Sequence, residues 1–167
     1  MSDDIAAWFS GRLPDEWFTA TPDITVDREE ILIVGTLPAL TDEYADDAAR
    51  AAAESGRISR WRESTRDDRI EIARQAEHRY RRKVAWGARQ GGTTELFTTL
   101  SIPVMTRLRQ PERLILDTLV DAGVARSRSD ALAWTVRLVG KHAETWLADL
   151  RQAMSKVEDL RSQGPDL

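Results

Sequence analysis

The stretch Leu116-Asp117-Thr118-Leu119-Val120-Asp121-Ala122-Gly123-Val124-Ala125-Arg126-Ser127-Arg128-Ser129-Asp130-Ala131-Leu132 carries the most readable local grammar of this 167-residue chain. Leu114, Leu116, Leu119 and Val120 recur at helical spacing, and Gly123 stands where such a helix needs a residue free to turn left-handed. Gln110-Pro111 marks the start of this helix, because proline lacks the N–H that the first turn leaves unpaired. Beyond the turn, Ser127 sits three residues before Asp130, a capping-box arrangement with Asp in place of Glu. The spacing therefore predicts two helices joined by a glycine turn.

Working downstream, Leu132, Val136, Val139, Ala143, Trp146, Leu150, Ala153, Val157 and Leu160 follow one another in alternating steps of four and three. That is a heptad seam, and it predicts one long C-terminal helix that pairs with a second helix. Gly140 lies inside the seam and is the expected place for a bend. Working upstream, Val104 to Arg109 reads as a short strand. Alternation turns Val104, Thr106 and Leu108 inward and Met105, Arg107 and Arg109 outward.

A short strand followed by two helices around this glycine turn resembles the ribbon-helix-helix family of DNA-binding proteins, over about residues 104–140. The resemblance implies an obligate homodimer. Strands of two chains pair into an antiparallel ribbon that enters the DNA major groove, and the second helices form the dimer core. It also implies that Met105, Arg107 and Arg109 contact bases, for which arginine is well suited through its two parallel donors to guanine. Phosphate is expected at the start of the second helix, where Ser127, Arg128 and Ser129 supply donors beside unpaired backbone amides. The chain departs from the family at Gln110-Pro111, where proline or serine usually follows the strand leucine directly. An alternative ribbon face, Phe97, Thr99 and Ser101, therefore stays open. From Ile102 to Gly123 that alternative spans 21 residues, against 15 from Leu108.

The rest of the chain reads as α+β and mostly helical. Ile24 and Val26, then Ile31, Ile33 and Val34, flank the polar Asp27-Arg28-Glu29-Glu30 and predict a β-hairpin. A helix through Ile5, Trp8 and Phe9 precedes it. From Asp46 to Arg82 the pattern is helical, with Ser55-Gly56 as the expected break and a second helix over about 57–83 whose apolar side Tyr80, Val84 and Trp86 extend. Glu95 to Ile102 reads as extended. These elements group into an acidic N-terminal unit (1–45), a basic helical segment (46–92) and a ribbon-helix-helix part with its long helix (93–163).

Charge follows the same division. Residues 1–55 hold 3 basic and 13 acidic residues, while residues 56–110 hold 13 basic and 6 acidic ones. The formal net charge is only −4, so the basic middle, including Arg81, Arg82 and Lys83, is the candidate phosphate-contacting surface. The acidic unit is a candidate surface for a protein partner or an effector. The chain has no cysteine and two histidines, His78 and His142, far apart in sequence. It contains no nucleotide-loop, zinc-protease, serine-hydrolase or dinucleotide motif. Asp42, Glu43, Asp46 and Asp47 read as a solvated helix start rather than a metal site. The sequence thus predicts neither an enzyme nor a cofactor or metal. No apolar run reaches membrane-spanning length, and Met1 to Ala7 lacks the basic start of a secretory signal. The expectation is a cytoplasmic, nucleoid-bound dimeric transcriptional regulator. Its rivals are an antitoxin-like protein that binds a partner through the N-terminal unit, and an architectural DNA binder of little sequence preference.

Overall fold

A computed structural model of the chain describes residues 2–163. It is α+β and mostly helical, and it divides into two compact units between Pro103 and Val104.

The first unit contains α1 (Ser2–Arg12), β1 (Asp23–Val26), β2 (Glu30–Thr36), α2 (Asp47–Ser64), α3 (Arg66–Tyr80), β3 (Lys83–Gln90) and β4 (Thr93–Leu96). The four strands form one sheet in the order β1-β2-β3-β4. The expected hairpin is present: β1 and β2 pair antiparallel from Asp23 opposite Val34 to Val26 opposite Ile31. The carboxylate of Asp27 accepts the backbone N–H groups of Glu29 and Glu30 at 2.9 and 2.7 Å, which closes the turn. β2 and β3 are parallel, and α2 with α3 makes the connection between them. A parallel pair requires such a crossover, since a tight turn reverses the chain and can join only antiparallel strands.

Parallel pairing sets the core. Ile31 and Ile33 lie on one face of β2, opposite Val84 and Trp86 of β3. That face meets Ile5 and Phe9 of α1, Ile58 and Trp61 of α2, and Ile72 and Ala76 of α3. Aromatic rings fill the layer. Trp17 meets Trp61 and Trp86 edge-on at 5.4 and 6.0 Å between centroids, a favoured geometry for ring pairs. The sheet leaves no room above Gly35, where a Cβ would collide with the ring of Phe18. The first two segments of the sequence, acidic and basic, thus share one sheet and one core.

Several expectations are corrected here. Lys83 to Gln90 is a strand buried at its centre, not the end of a helix over 57–83. Arg81 ends α3 in the left-handed conformation, at φ 56°, and the chain then turns into the sheet. The helical stretch does not break at Ser55-Gly56 but at Thr65, whose hydroxyl donates to the carbonyl of Trp61 at 2.7 Å. Gly56 has open space around it and is simply tolerated. Arg69 then reaches back across the break, donating through Nε to Thr65 Oγ1 and through Nη2 to the carbonyl of Arg62 at 2.6 Å. Burial, then the neighbouring charges of Arg62 and Arg66, lower its pKa from the usual arginine value. The extended reading of Glu95 to Ile102 holds only as far as Leu96, where the ladder with β3 ends.

The second unit contains α4 (Gln110–Asp121), α5 (Arg128–His142) and α6 (Glu144–Gln163). Its long helix is interrupted at Ala143 rather than Gly140. Gly140 remains helical, with open space around it. Val104 to Arg109 is not a strand here: it has no ladder partner among the described residues. No described helix is long and apolar enough to cross a membrane.

Candidate nucleic-acid interface

The candidate interface is built from the segment before α4 and from the start of α5. Arg109 caps α4 with an extended backbone, and its N–H donates to the carboxylate of Glu112 at 2.6 Å. Arg113 donates to the carbonyl of Leu108 at 2.7 Å. These two bonds fix how the chain enters the helix. Upstream of them the segment runs through solvent, with Val104 86% and Met105 97% exposed. Leu108 alone among Val104, Thr106 and Leu108 packs inward, against the small cluster of Leu116, Ala125 and Ala131. Arg107 and Arg109 are exposed, with no acidic partner among the described residues.

The alternative ribbon face divides: Thr99 and Ser101 are exposed, while Phe97 packs on the first unit. Phe97 belongs to the first unit: its N–H donates to the carbonyl of Trp86 at 2.8 Å, and its ring stacks at 5.8 Å from Trp61. The guanidiniums of Arg62 and Arg69 both lie 5.1 Å from its centroid. The half-buried ring thus serves the edge of the first unit's core.

The turn and cap follow the sequence closely. Gly123 adopts φ 73°, and the carbonyl of Leu119 accepts the N–H of Val124 at 2.9 Å, which closes the end of α4. Ser127 has an extended backbone, and its Oγ accepts the N–H of Asp130 at 3.2 Å. The reciprocal bond of the box is displaced by one residue: the Asp130 carboxylate accepts the N–H of Arg126 at 3.0 Å. That bond, ahead of the contribution of the Arg126 side chain, holds the Asp130 carboxyl below the usual range.

The basic residues divide in two. Arg128 is committed to Asp117 of α4 through two hydrogen bonds, at 2.6 and 2.8 Å. This ion pair leaves the Arg128 side chain 59% exposed, so its charge stands at the start of α5 with an acidic neighbour beside it. Ser129 remains exposed beside the first amides of α5. Arg81, Arg82 and Lys83 sit in the other unit. Arg82 donates to the carbonyl of Asp27 at 2.6 Å, and Lys83 pairs with Glu77 at 3.0 Å. They close the hairpin and the end of α3, rather than lining a helix face.

What the sequence did not disclose is how little the second unit buries. Leu116, Ala125 and Ala131 are its buried apolar residues among those described. Leu114, Ile115, Val136, Val139, Trp146 and Leu160 are each more than half exposed.

Residues 3–96 match the family model described as Rv1265-like protein, N-terminal domain. This chain belongs to the Rv1265-like family. Residues 109–161 match a second model, the Mb1296 C-terminal domain. The segment 97–108, which carries Met105 and Arg107, lies between the two models. Three relatives match across both of these regions. Mb1296 of Mycobacterium bovis, and MT1303 and Rv1265 of two Mycobacterium tuberculosis strains, are each named as an uncharacterized protein. Each is 62% identical over 162 residues, covering 97% of this chain and 70% of the relative. No solved structure matches the chain.

Proposed function

We propose that the second unit is a ribbon-helix-helix module, and that the chain acts in the nucleoid as a homodimeric, DNA-binding transcriptional regulator. One observation carries the reading. An alternating segment, Val104 to Arg109, has no ladder partner among the described residues and stands mostly in solvent, directly before two capped helices that leave Leu114, Ile115, Val136, Leu138 and Val139 exposed. A lone segment of this kind has unpaired backbone groups and an uncovered apolar face. A second copy supplies both missing partners at once: a strand for Val104 to Arg109, and a helical face for Val136 and Val139. Paired in this way, Met105, Arg107 and Arg109 project from one side of a two-stranded ribbon, a shape that fits the major groove. The amides at the start of α5, with Ser127 and Ser129, are set for phosphate.

The test is fluorescence anisotropy of the full chain on two labelled duplexes across a salt series. One carries the DNA upstream of its own gene, the other a scramble of equal composition. A regulator binds the first more tightly and keeps doing so at physiological salt. Equal binding to both, falling steeply with salt, marks an architectural binder held by phosphate contacts alone. Absence of binding to either removes the proposal and turns attention to the acidic first unit as the surface for a protein partner.

A further inference from the structure

The first unit contains a cavity of about 350 Å³ beside the C-terminal ends of the parallel strands β2 and β3. Thr36 ends one strand and Gln90 the other. Leu37 and Tyr44 come from the stretch that follows β2, and Arg50 and Glu54 from the first half of α2. Crevices outside the carboxyl ends of parallel strands are the usual place for small ligands, because the connecting chain diverges there.

Two polar groups in the cavity are left wanting. Gln90 is 2% exposed, and its Oε1 has no hydrogen-bond partner. Glu54 is 7% exposed, and its Oε2 accepts from the hydroxyl of Thr93 at 2.7 Å, a neutral donor. Glu54 forms no ion pair among the described residues. A buried carboxylate or amide without compensation is destabilising, so such groups mark places where something else supplies the partner. The carboxylate is also held in place. Gly91 turns at φ 54°, and a Cβ there would collide with Glu54 Oε1. This turn presses directly on the acid, and only glycine allows both the conformation and the approach.

Acceptors dominate the site, and so does negative charge, with Asp42 and Glu54 against Arg50. No group of three or more His, Asp or Glu side chains placed to hold a metal ion occurs among the described residues. A planar cation with several N–H donors answers both acceptors together, and an aliphatic body suits the side chains of Leu37 and Leu40. We propose that this cavity binds a small guanidinium compound, with Glu54 as its counter-ion and Gln90 as its second acceptor. This site is independent of the DNA-binding reading.

Calorimetric titration and thermal melting of the full chain with butylguanidinium and with the neutral, similarly shaped butylurea test the proposal. Butylguanidinium is expected to bind saturably at millimolar concentration or below and to raise the melting temperature, whereas butylurea does neither. Glu54→Gln should weaken binding about tenfold or more, the usual scale for a charged hydrogen bond. Arg50→Ala, which removes a competing cation at the rim, should tighten it. Gln90→Met should weaken binding and leave the melting temperature of the unliganded protein unchanged or higher, since it removes a polar atom with no partner. No saturable binding of butylguanidinium, equal binding of butylurea, or unaltered binding to the Glu54→Gln variant overturns the proposal. So does a strong loss of stability in Gln90→Met, which would mean that the amide is satisfied within the fold.

Discussion

Arg128 grips Asp117 through both arms of its guanidinium, Nε on Oδ1 at 2.6 Å and Nη2 on Oδ2 at 2.8 Å. The pair ties the first turn of α5 to the outer half of α4, and so sets the angle between the two helices on either side of Gly123. The hydrogen bonds from Arg128, ahead of its charge, hold the Asp117 carboxyl below the usual carboxylate range, and Asp117 in turn raises the Arg128 pKa. Both side chains remain partly in solvent, so the pair orients more than it stabilises.

Acid should loosen this clamp. The folded pKa of Asp117 lies below its unfolded value, and that of Asp130 does too. Their contribution is therefore complete above the unfolded value, near 3.9 for aspartate, and is lost as pH falls through the depressed folded values. Thermal melts of the full chain from neutral to acid pH should show Asp117→Asn to be the less stable protein near neutrality. The difference from wild type should shrink at the acid end. A constant difference at all pH values would mean that the carboxylate charge is irrelevant.

The same substitution separates stability from DNA affinity. Asp117→Asn removes a negative charge beside the proposed phosphate site and releases Arg128. Under the DNA-binding reading it tightens binding to scrambled DNA and steepens the salt dependence by up to about one unit of slope, the effect of one added phosphate contact. Anisotropy titrations at several salt concentrations read both quantities. Weaker binding with a flatter slope would contradict a phosphate site at the start of α5.

Gly123 tests the turn. Its φ of 73° is disfavoured for any residue with a Cβ, yet open space surrounds the position. Only backbone strain distinguishes alanine there, so Gly123→Ala should destabilise by about 1–2 kcal/mol. Gly123→Asn should lose less, because asparagine tolerates the left-handed region. Denaturant titration with a tryptophan or circular-dichroism readout measures both. Equal losses would point to a steric cause instead.

These features were legible because they are local. A glycine after an apolar helix, or Ser127 three residues before Asp130, makes its own hydrogen bonds whatever surrounds it. The β1–β2 hairpin was equally plain, since Ile24, Val26, Ile31 and Ile33 alternate around a polar turn. β3 was not. Its Ala85-Trp86-Gly87-Ala88 lacks the β-branched residues that mark a strand, and it directly follows a helix whose apolar spacing Val84 and Trp86 happen to extend. What makes it a strand is parallel pairing with β2, about 50 residues upstream (Ile33 opposite Trp86), which no local pattern encodes. The break at Thr65 was hidden for a related reason: the bond that spans it runs from Arg69 back to Arg62. Of the candidate interface, alternation put Arg107 and Arg109 outward, but Val104 and Thr106 are exposed as well, because the segment has no strand partner among the described residues. The capture of Arg128 by Asp117 was not readable, because the two lie 11 residues apart on different helices.

The ribbon assignment makes a sharp demand. Arg107→Ala with Arg109→Ala removes two exposed, unpaired guanidiniums and touches no packed residue. Specific DNA affinity should fall by about 1–3 kcal/mol for each arginine–base pairing that disappears, roughly five- to 150-fold apiece. Molecular mass by light scattering and the melting temperature should stay as in wild type. Unchanged preference for the upstream duplex over its scramble would remove these residues from the interface.

The last prediction concerns the seam. Val136 and Val139 are 65% and 56% exposed on α5, one helical turn apart. An isolated helix face of this kind has nothing to cover it within its own unit, whose buried apolar residues among those described are Leu116, Ala125 and Ala131. In a symmetric dimer each side chain is buried twice, once in each copy. Val136→Asp then loses at least about 3 kcal/mol of burial across the pair, counting about 1.5 kcal/mol per valine. That corresponds to roughly a hundredfold weaker dimer. Sedimentation velocity should show wild type as a dimer and the variant as a monomer at micromolar concentration. DNA binding should vanish in the same concentration range, because an unpaired strand cannot form the ribbon. The first unit, with its own sheet and core, should melt as before. A wild-type monomer, or a dimer indifferent to the aspartate, would show that α5 is not where two copies meet.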